Sequence, residues 1–454
     1  MVKVAKFGGS SLADAGQFEK AAAIIRADSE RRLIVVSAPG KRHAEDIKTT
    51  DLLVTLAADV LENGPVEESL QAVKERYESI VRGLGLSGNP AAETEQQLRK
   101  LIDEYKTDPP RLMDALMASG ENENAKVMAA YLQSLGETAR YLSPEEAGMV
   151  VTDEPANARI LPEAYARLKK LREEEGILVI PGFFGVSKAG HIVTFPRGGS
   201  DISGSIVAAG VEASLYENFT DVDSVYSVNP SLVENPKEMK QLTYREMREL
   251  AYAGFSVFHD EALLPVVAKK VPIAIKNTNH PDAPGTRITA EREREGLPVI
   301  GIASDSGFVT INLTKYLMNR EVGFGRNLLN ILAEEGISFE HTPSGIDNMS
   351  IIVREEYLNE TAEARILERI RQELNVEEVH VERNLAMVMV VGEGMASTVG
   401  VASKATTALS EAGVNIKMIN QGSSEVSMMF GVNAQDADLA VKSLYKACFE
   451  KEPV

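Results

Sequence analysis

Hydrophobic and polar positions alternate from the first residues: Val2 and Val4 share a face, and the stem of Lys6 extends a short strand. The period then changes. Phe18, Ala21, Ala22 and Ile25 fall on one helical face, Asp14 suits the N-cap, and Gln17 three residues on completes a capping box. Leu33-Ile-Val-Val36 is apolar throughout, as in a parallel strand buried on both faces, and ends in Ser37-Ala-Pro-Gly40. After a polar stretch, 41–48, Thr49-Thr50-Asp51 caps a helix carrying Leu52, Leu53 and Leu56. Residues 60–120 read as charged helices that leave the sheet and end near Pro109-Pro110. Ala118-Ser-Gly-Glu-Asn122 then precedes a further helix with Val127, Met128 and Leu132.

Strand signals return at 177–185, 191–194, 215–221 and 271–276, the last predicted strand of this half. A helix of small residues, with Gly204, Ala208 and Ala209, follows Asp201. Strands alternating with helices predict an α/β fold with a mainly parallel sheet sandwiched by helices. Ligands of such sheets sit at the carboxyl ends of strands, where the glycine, serine and aspartate clusters of this chain fall.

A charged stretch with a glycine, 291–296, reads as a solvated linker or a helix turn and places the main boundary at 285–305. Beyond it the pattern repeats. Ala333-Glu-Glu-Gly-Ile337 matches Ser410-Glu-Ala-Gly-Val414, and Met349-Ser-Ile-Ile352 matches Val426-Ser-Met-Met429, both at an offset of 77 (333 to 410, 349 to 426). Each copy reads strand, helix, strand, strand, helix. Two ferredoxin-like βαββαβ modules are therefore expected over 305–384 and 385–454, after a first domain spanning 1–290.

Length and composition agree with several soluble domains: 454 residues, 44% hydrophobic and 25% charged. No apolar run approaches membrane-spanning length, and no leader or membrane partner is expected. One cysteine, Cys448, excludes an internal disulfide and predicts a buried or half-buried thiol and a cytoplasmic setting. A formal charge of −19 argues against a nucleic-acid surface. It also gives weight to any cation placed inside a glycine-rich turn, because so acidic a chain repels anionic substrates unless positive charge is gathered locally.

Lys6-Phe-Gly-Gly-Ser-Ser is such a place: strand, glycine turn and helix start, with a lysine at the last strand position. Side-chain-free residues let backbone N–H groups approach an anion, and Lys6 adds a full charge. The motif lacks the Gly-Lys-Ser/Thr end of a P-loop and the spacing of a dinucleotide fingerprint. It closely resembles the opening of aspartate kinases in the amino-acid kinase family. Ser37, Ser119-Gly-Glu121 and Arg197-Gly-Gly-Ser-Asp201 match the same family in order and approximate spacing. Thr220-Asp221 and Lys276-Asn277 agree with its nucleotide side, and the doubled C-terminal module resembles paired ACT domains, so the likeness spans essentially the whole chain.

The resemblance implies transfer of the ATP γ-phosphoryl to the β-carboxylate of L-aspartate with Mg²⁺, the first step of lysine, threonine and methionine (diaminopimelate) synthesis. Implied catalytic residues are Lys6 beside the transferring phosphoryl and Asp201 holding Lys6. Implied aspartate contacts are Ser37, Thr50, Glu121 for the α-ammonium, Phe183, Arg197 for the α-carboxylate, Gly198, Gly199 and Ser200. The nucleotide would meet Gly8, Gly9, Ser10, Thr220, Asp221, Tyr226, Lys276 and Asn277. Feedback inhibition by lysine, alone or together with threonine, would act through Met318, Phe324, Gly325, Phe339, Glu340 and Asp347 in the first repeat. A homodimer paired through the ACT-like modules is also expected, because their sheets have open edges.

The sequence departs from the family at Ser231, after Asn229-Pro230, and at Ser256, where many relatives carry an arginine and a lysine. Two other readings stand beside the first: a related kinase acting on glutamate or a nucleotide, and a catalytically weak fold that senses amino acids. Lys6, Arg197 and Asp201 together favour an active enzyme, and Ser-Gly-Glu121 with the doubled module favours aspartate.

Overall fold

The structure is a computed structural model that describes residues 1–87, 90–196, 198–255, 257–292 and 297–450. Arg197 and Ser256 lie outside the described residues. The chain forms two compact units: residues 1–225, 238–251 and 256–293 make the first, and 226–237, 252–255 and 294–454 make the second.

The first unit is built on an eight-stranded sheet. Its strands are Lys3–Phe7 (β1), Arg31–Val36 (β2), Ala139–Tyr141 (β3), Ile177–Pro181 (β4), Leu215–Thr220 (β5), Gln241–Thr243 (β6), Ile273–Asn277 (β7) and Thr286–Thr289 (β8). They lie in the order β6-β8-β7-β5-β1-β2-β4-β3. The central strands pair in parallel, and their apolar runs are buried on both faces as expected. The predicted last strand is not the last: β8 follows and runs antiparallel to β7. A turn at Pro284-Gly285 reverses the chain between them. Gly285 takes a φ of 71° there, and a Cβ on it would stand 2.1 Å from the Ile275 carbonyl oxygen.

Five helices follow the sequence reading with three corrections: Ala15–Arg26 (α1), Thr49–Glu62 (α2), Val66–Gly83 (α3), Pro90–Tyr105 (α4) and Pro109–Ser134 (α5). Asp14 caps α1 by accepting from Gln17 N–H at 2.9 Å, but the Gln17 side chain reaches Asn279 (3.1 Å) and leaves the capping box open. Residue 48, not the Thr-Thr-Asp cluster, is the N-cap of α2. Pro109-Pro110 begins α5 where a stop is expected, since a proline in the first turn forfeits no hydrogen bond. Ser119-Gly-Glu121 therefore lies in mid-helix. The glycine is kept by packing: a Cβ on Gly120 would meet Ala38 Cβ at 2.9 Å and Leu53 Cδ1 at 3.1 Å. The 177–185 run also divides, its second part joining a small sheet of Val150–Val151, Phe184–Ser187 and Ile192–Thr194. A helix of small residues, Gly199–Gly210 (α6), follows. Phe7 of β1 stacks on Phe219 of β5 (4.9 Å between centroids) in the core beneath α1.

The second unit is a five-stranded antiparallel sheet: Gly301–Thr314 (β9), Asn348–Arg354 (β10), Glu378–Val391 (β11), Met418–Asn420 (β12) and Ser427–Asn433 (β13), in the order β10-β9-β11-β13-β12. The repeats are not laid end to end. β9 and β11 run side by side from Gly301 opposite Val391 to Thr314 opposite Glu378, with a register shift between Ser306 and Phe308. Gly307 sits in that shift with a φ of 84°. On one side of it Val309, Ile311 and Leu313 pack with Phe324–Glu334 (α7) and Glu360–Leu374 (α8). On the other, Ile302, Ala386, Val388 and Val390 pack with Val401–Glu411 (α9) and Ala437–Tyr445 (α10). Residue 385 thus falls inside β11, and the stretch before 305 serves the second core. The first repeat also lacks the edge strand that Met418–Asn420 forms in the second; His341 and Ser344 make isolated bridges there.

Two segments that interrupt the first unit's stretch of sequence, 226–237 and 252–255, complete this unit. Val228, Leu232 and Val233 join the second repeat's core, and the Ser227 carbonyl accepts from Ile302 N–H at 2.7 Å. Tyr252 donates its hydroxyl to Glu340. Among the described residues no helix is long and apolar enough to cross a membrane.

Candidate active site

Strand alternation places Lys6 of β1 level with Asn218 of β5, and α6 brings Asp201 to the same point. Lys6 Nζ stands 2.6 Å from Asp201 Oδ1, which also accepts from Asn218 Nδ2 at 2.8 Å. Lys6 is 7% exposed, so its ammonium is held by a fixed carboxylate at the floor of a cleft. That cleft, about 750 Å³, opens at the carboxyl ends of β1, β2 and β5. Its lining includes Gly8, Gly9, Ser10, Ser37, Thr50, Glu121, Phe183, Gly198, Gly199, Ser200, Thr220 and Asp221. Residues far apart in sequence and singled out from it therefore converge on one cavity.

The turn after β1 is less open than its glycines suggest. Gly8 N–H donates to the Phe219 carbonyl at 3.0 Å and is committed within the sheet. The loop after β2 packs on the turn: Gly40 N–H donates to Gly9 O at 2.8 Å, and a Cβ on Gly40 would come within 2.6 Å of Gly9 C. Asn124 Nδ2 steadies the same loop by donating to the Ser37 carbonyl at 2.7 Å.

Across the cleft stands Glu121, 5% exposed. Its Oε1 accepts from Ser200 Oγ at 3.4 Å, while Oε2 is sealed from solvent without a hydrogen-bond partner. Burial pushes the carboxyl up to about 7, against the pull of the Ala38 and Glu121 backbone N–H groups, of Ser200 and of the Lys6 charge. A buried acid with one unmet oxygen is a receptor for a cation. Phe183 beside it takes a φ of 73°, held by its N–H donating to Ser203 Oγ (2.9 Å) and its carbonyl accepting from Phe195 N–H (2.8 Å). Left-handed backbone at a bulky residue is strained by about 1–3 kcal/mol and gathers at functional sites.

Other expected contacts are not brought together. Lys276 is one residue past the position level with Lys6, so alternation sends it to the opposite face, where it lines a separate 560 Å³ cleft with Lys20, Asp28 and Arg31. Asn277 Nδ2 instead donates to Asp223 Oδ1 (2.7 Å) and the Asp221 carbonyl (3.3 Å), supporting the loop that carries Asp221. Tyr226 belongs to the segment that folds with the second unit. Of the proposed effector contacts, Met318 and Phe324 are buried in the core of the first repeat. Glu340 is already engaged by Tyr252 and by Arg354 (3.4 Å). Gly325 lies in the first turn of α7, Phe339 is 47% exposed, and Asp347 Oδ1 accepts from Leu317 N–H at 2.8 Å.

The cleft also contains residues that sequence reasoning missed: Lys41, His43, Lys48, Asn218 and Val257. Asn218 carried a signal, a polar residue in the middle of a parallel strand. So did Lys41-Arg-His43, three cationic types together in an acidic chain.

The profile of the amino acid kinase family matches residues 1–277, and that of an ACT domain matches 388–448. Aspartokinase 3 of Bacillus subtilis is 54% identical over 448 residues, covering 99% of both chains. The crystal structure of Clostridium acetobutylicum aspartate kinase is 40% identical, covers 98% of this chain and 100% of its own, and superposes with a TM-score of 0.84. Escherichia coli aspartokinase III, 26% identical, superposes at 0.84 in complex with aspartate and ADP (99% and 100% of the two chains) and at 0.74 in complex with lysine and aspartate (99% of each).

Proposed function

The chain belongs to the amino acid kinase family, and on that premise we propose that its cleft carries the γ-phosphoryl of ATP to the β-carboxylate of L-aspartate, giving 4-phospho-L-aspartate and ADP. The observation that carries this reading is the Lys6–Asp201 pair facing an unsatisfied buried Glu121 in one cleft. The nucleophile needs no general base, because a side-chain carboxylate with a pKa near ~4 is ionised at neutral pH. The work left to the protein is in-line positioning of two anions and cancellation of their charge. A β-carboxylate oxygen attacks the γ-phosphorus, and the bond to the β-phosphate oxygen breaks. Lys6 meets the charge gathering on the transferring group, with Asp201 and Asn218 keeping its ammonium in place. Glu121 takes the α-ammonium, Arg197 the α-carboxylate, and Ser37, Thr50 and Ser200 hydrogen-bond the rest.

Ser10, Thr220 and Asp221 form the nucleotide end. Gly9 and Ser10 are the amides of the turn proposed to meet phosphate. Among the described residues no three His, Cys, Asp or Glu side chains gather into a metal cage. That fits Mg²⁺, which keeps several waters and binds through one or two carboxylates plus phosphates, here Asp221 and the nucleotide. When bound it would neutralise phosphate charge. Purified protein should release ADP only with aspartate present, lose this activity in EDTA and regain it with Mg²⁺. Turnover of glutamate instead of aspartate overturns the assignment.

The second unit is proposed to bind lysine and to pair two chains through its sheet, whose β12 side is the open edge while residues 340–345 hydrogen-bond along β10. With Glu340 engaged and Phe324 buried, the exposed Phe339, the half-buried Asp347 and the start of α7 remain for a cationic amino acid. Asp347→Asn keeps an acceptor for Leu317 N–H and removes the charge. It should raise the lysine concentration for half-inhibition about tenfold, the scale of one charge-assisted hydrogen bond. Unchanged sensitivity places the effector elsewhere.

A further inference from the structure

The loop from Gly40 to Lys48 borders the cleft and packs its first residue on Gly9, yet its own tether is a side chain from outside it. Arg76 of α3, 4% exposed, reaches both ends of the loop. Its Nη1 donates to the Gly40 carbonyl at 3.0 Å, and its Nη2 to the Ile47 carbonyl at 2.7 Å and to Asp46 Oδ1 at 3.0 Å. Asp46 is in turn wrapped by Arg42, through N–H, Nε and Nη2 at 2.8–2.9 Å, which holds its carboxyl well below the usual range. A buried guanidinium is an expensive way to fasten a surface loop, since burial disfavours its charge. The return is geometry. Two nitrogens of one rigid fork fix two carbonyls seven residues apart, and the first of them in sequence belongs to Gly40, the residue seated on Gly9. The next residue of the helix, Tyr77, donates its hydroxyl to the Gly120 carbonyl at 2.6 Å, beside Glu121.

We propose that Arg76 is a positioning residue for phosphoryl transfer: through Gly40 it sets the Gly8-Gly9 turn and holds the 40–48 loop, with Lys41, His43 and Lys48, over the cleft. The inference rests on the phosphotransfer reading above. It concerns the phosphoryl side of the cleft, so loss of Arg76 should lower kcat and spare the aspartate KM. Lysine is the informative replacement, because a single ammonium cannot span both carbonyls while the charge beside Asp46 is kept.

The experiment measures aspartate-dependent ADP release and thermal stability for wild type, Arg76→Lys, Arg76→Ala and Ile80→Val, a core change on the same helix. Arg76→Lys should lose about 100-fold in kcat, the scale of a displacement near 1 Å in an aligned site, with aspartate KM within about threefold. Ile80→Val should lose stability and keep its kcat. Added guanidinium ion should restore part of the kcat of Arg76→Ala and leave Ile80→Val unaffected. Folded Arg76→Lys with kcat within about threefold of wild type overturns the proposal, as does a loss that tracks stability equally in Ile80→Val. A wild-type protein with no aspartate-dependent turnover would instead sink the phosphotransfer reading itself.

Discussion

Lys6→Met is expected to lower kcat about 1,000-fold while leaving the nucleotide and aspartate KM values within a few fold. The ammonium sits at the floor of the cleft, 2.6 Å from Asp201, in surroundings that strengthen any charge interaction made there. Ground-state ATP carries its charge spread over three phosphates. In transfer the charge gathers on the γ-oxygens and on the bridging oxygen that leaves, so a cation fixed at that point favours the transition state over bound substrate. A thousandfold corresponds to about 4 kcal/mol of barrier. Methionine fills the same volume, and Asp201 keeps its bond from Asn218, so the fold should survive. Single-turnover measurement of phosphoryl transfer separates the chemical step from binding. A folded Lys6→Met protein with kcat within about threefold of wild type would show that the lysine is structural.

Glu121→Gln should raise the aspartate KM roughly 100-fold at pH 8, with little change for ATP, because truncating one side of a buried charge pair costs about 2–5 kcal/mol. The pH dependence is the sharper test. Burial holds the empty-site carboxyl near 7, so below that pH a proton must leave before an ammonium can bind. The wild-type aspartate KM should therefore climb as pH falls from 8 to 6, and the glutamine variant should show no such slope. Stability moves the other way. A carboxyl raised in the folded state stabilises the fold below its unfolded value near 4.5, and that contribution is gone above 7. Without aspartate, Glu121→Gln should thus be more stable than wild type at pH 8, by on the order of 3 kcal/mol at most, and lose this advantage near pH 4. A variant whose aspartate KM keeps the wild-type slope would place the α-ammonium elsewhere.

What was legible in the sequence was local. The lysine before paired glycines, the apolar central strands and the cap at Asp14 each follow from a few neighbouring residues. The errors have a common source in tertiary contact. Gly120 reads as a break because glycine is a poor helix former, but Ala38 and Leu53 press on it and the helix runs through. Lys276 lines a different cleft from Lys6 because facing depends on strand register to a single residue, which no local pattern specifies. The repeat was visible at its offset of 77, whereas the sharing of β9 and β11 between its halves depends on pairing between distant strands. Arg76 left no sequence signal, since an arginine on a charged helix looks solvated.

The segments 226–237 and 252–255 carry a consequence for anyone who would take the protein apart. They are encoded inside the kinase half, yet Val228, Leu232 and Val233 find their apolar partners among residues beyond 299, and Gly254 lies close against the Ser304 carbonyl. There is accordingly no single scissors point. A gene cut after codon 290 would yield a kinase with two orphaned inserts, one of them apolar, which invites aggregation more than it releases a deregulated enzyme. By the same reasoning, recombination cannot readily graft this sensor onto another catalyst as a tail, because its code is interleaved with that of the enzyme. An unregulated descendant is more accessible by substitution within the C-terminal sheet than by losing it.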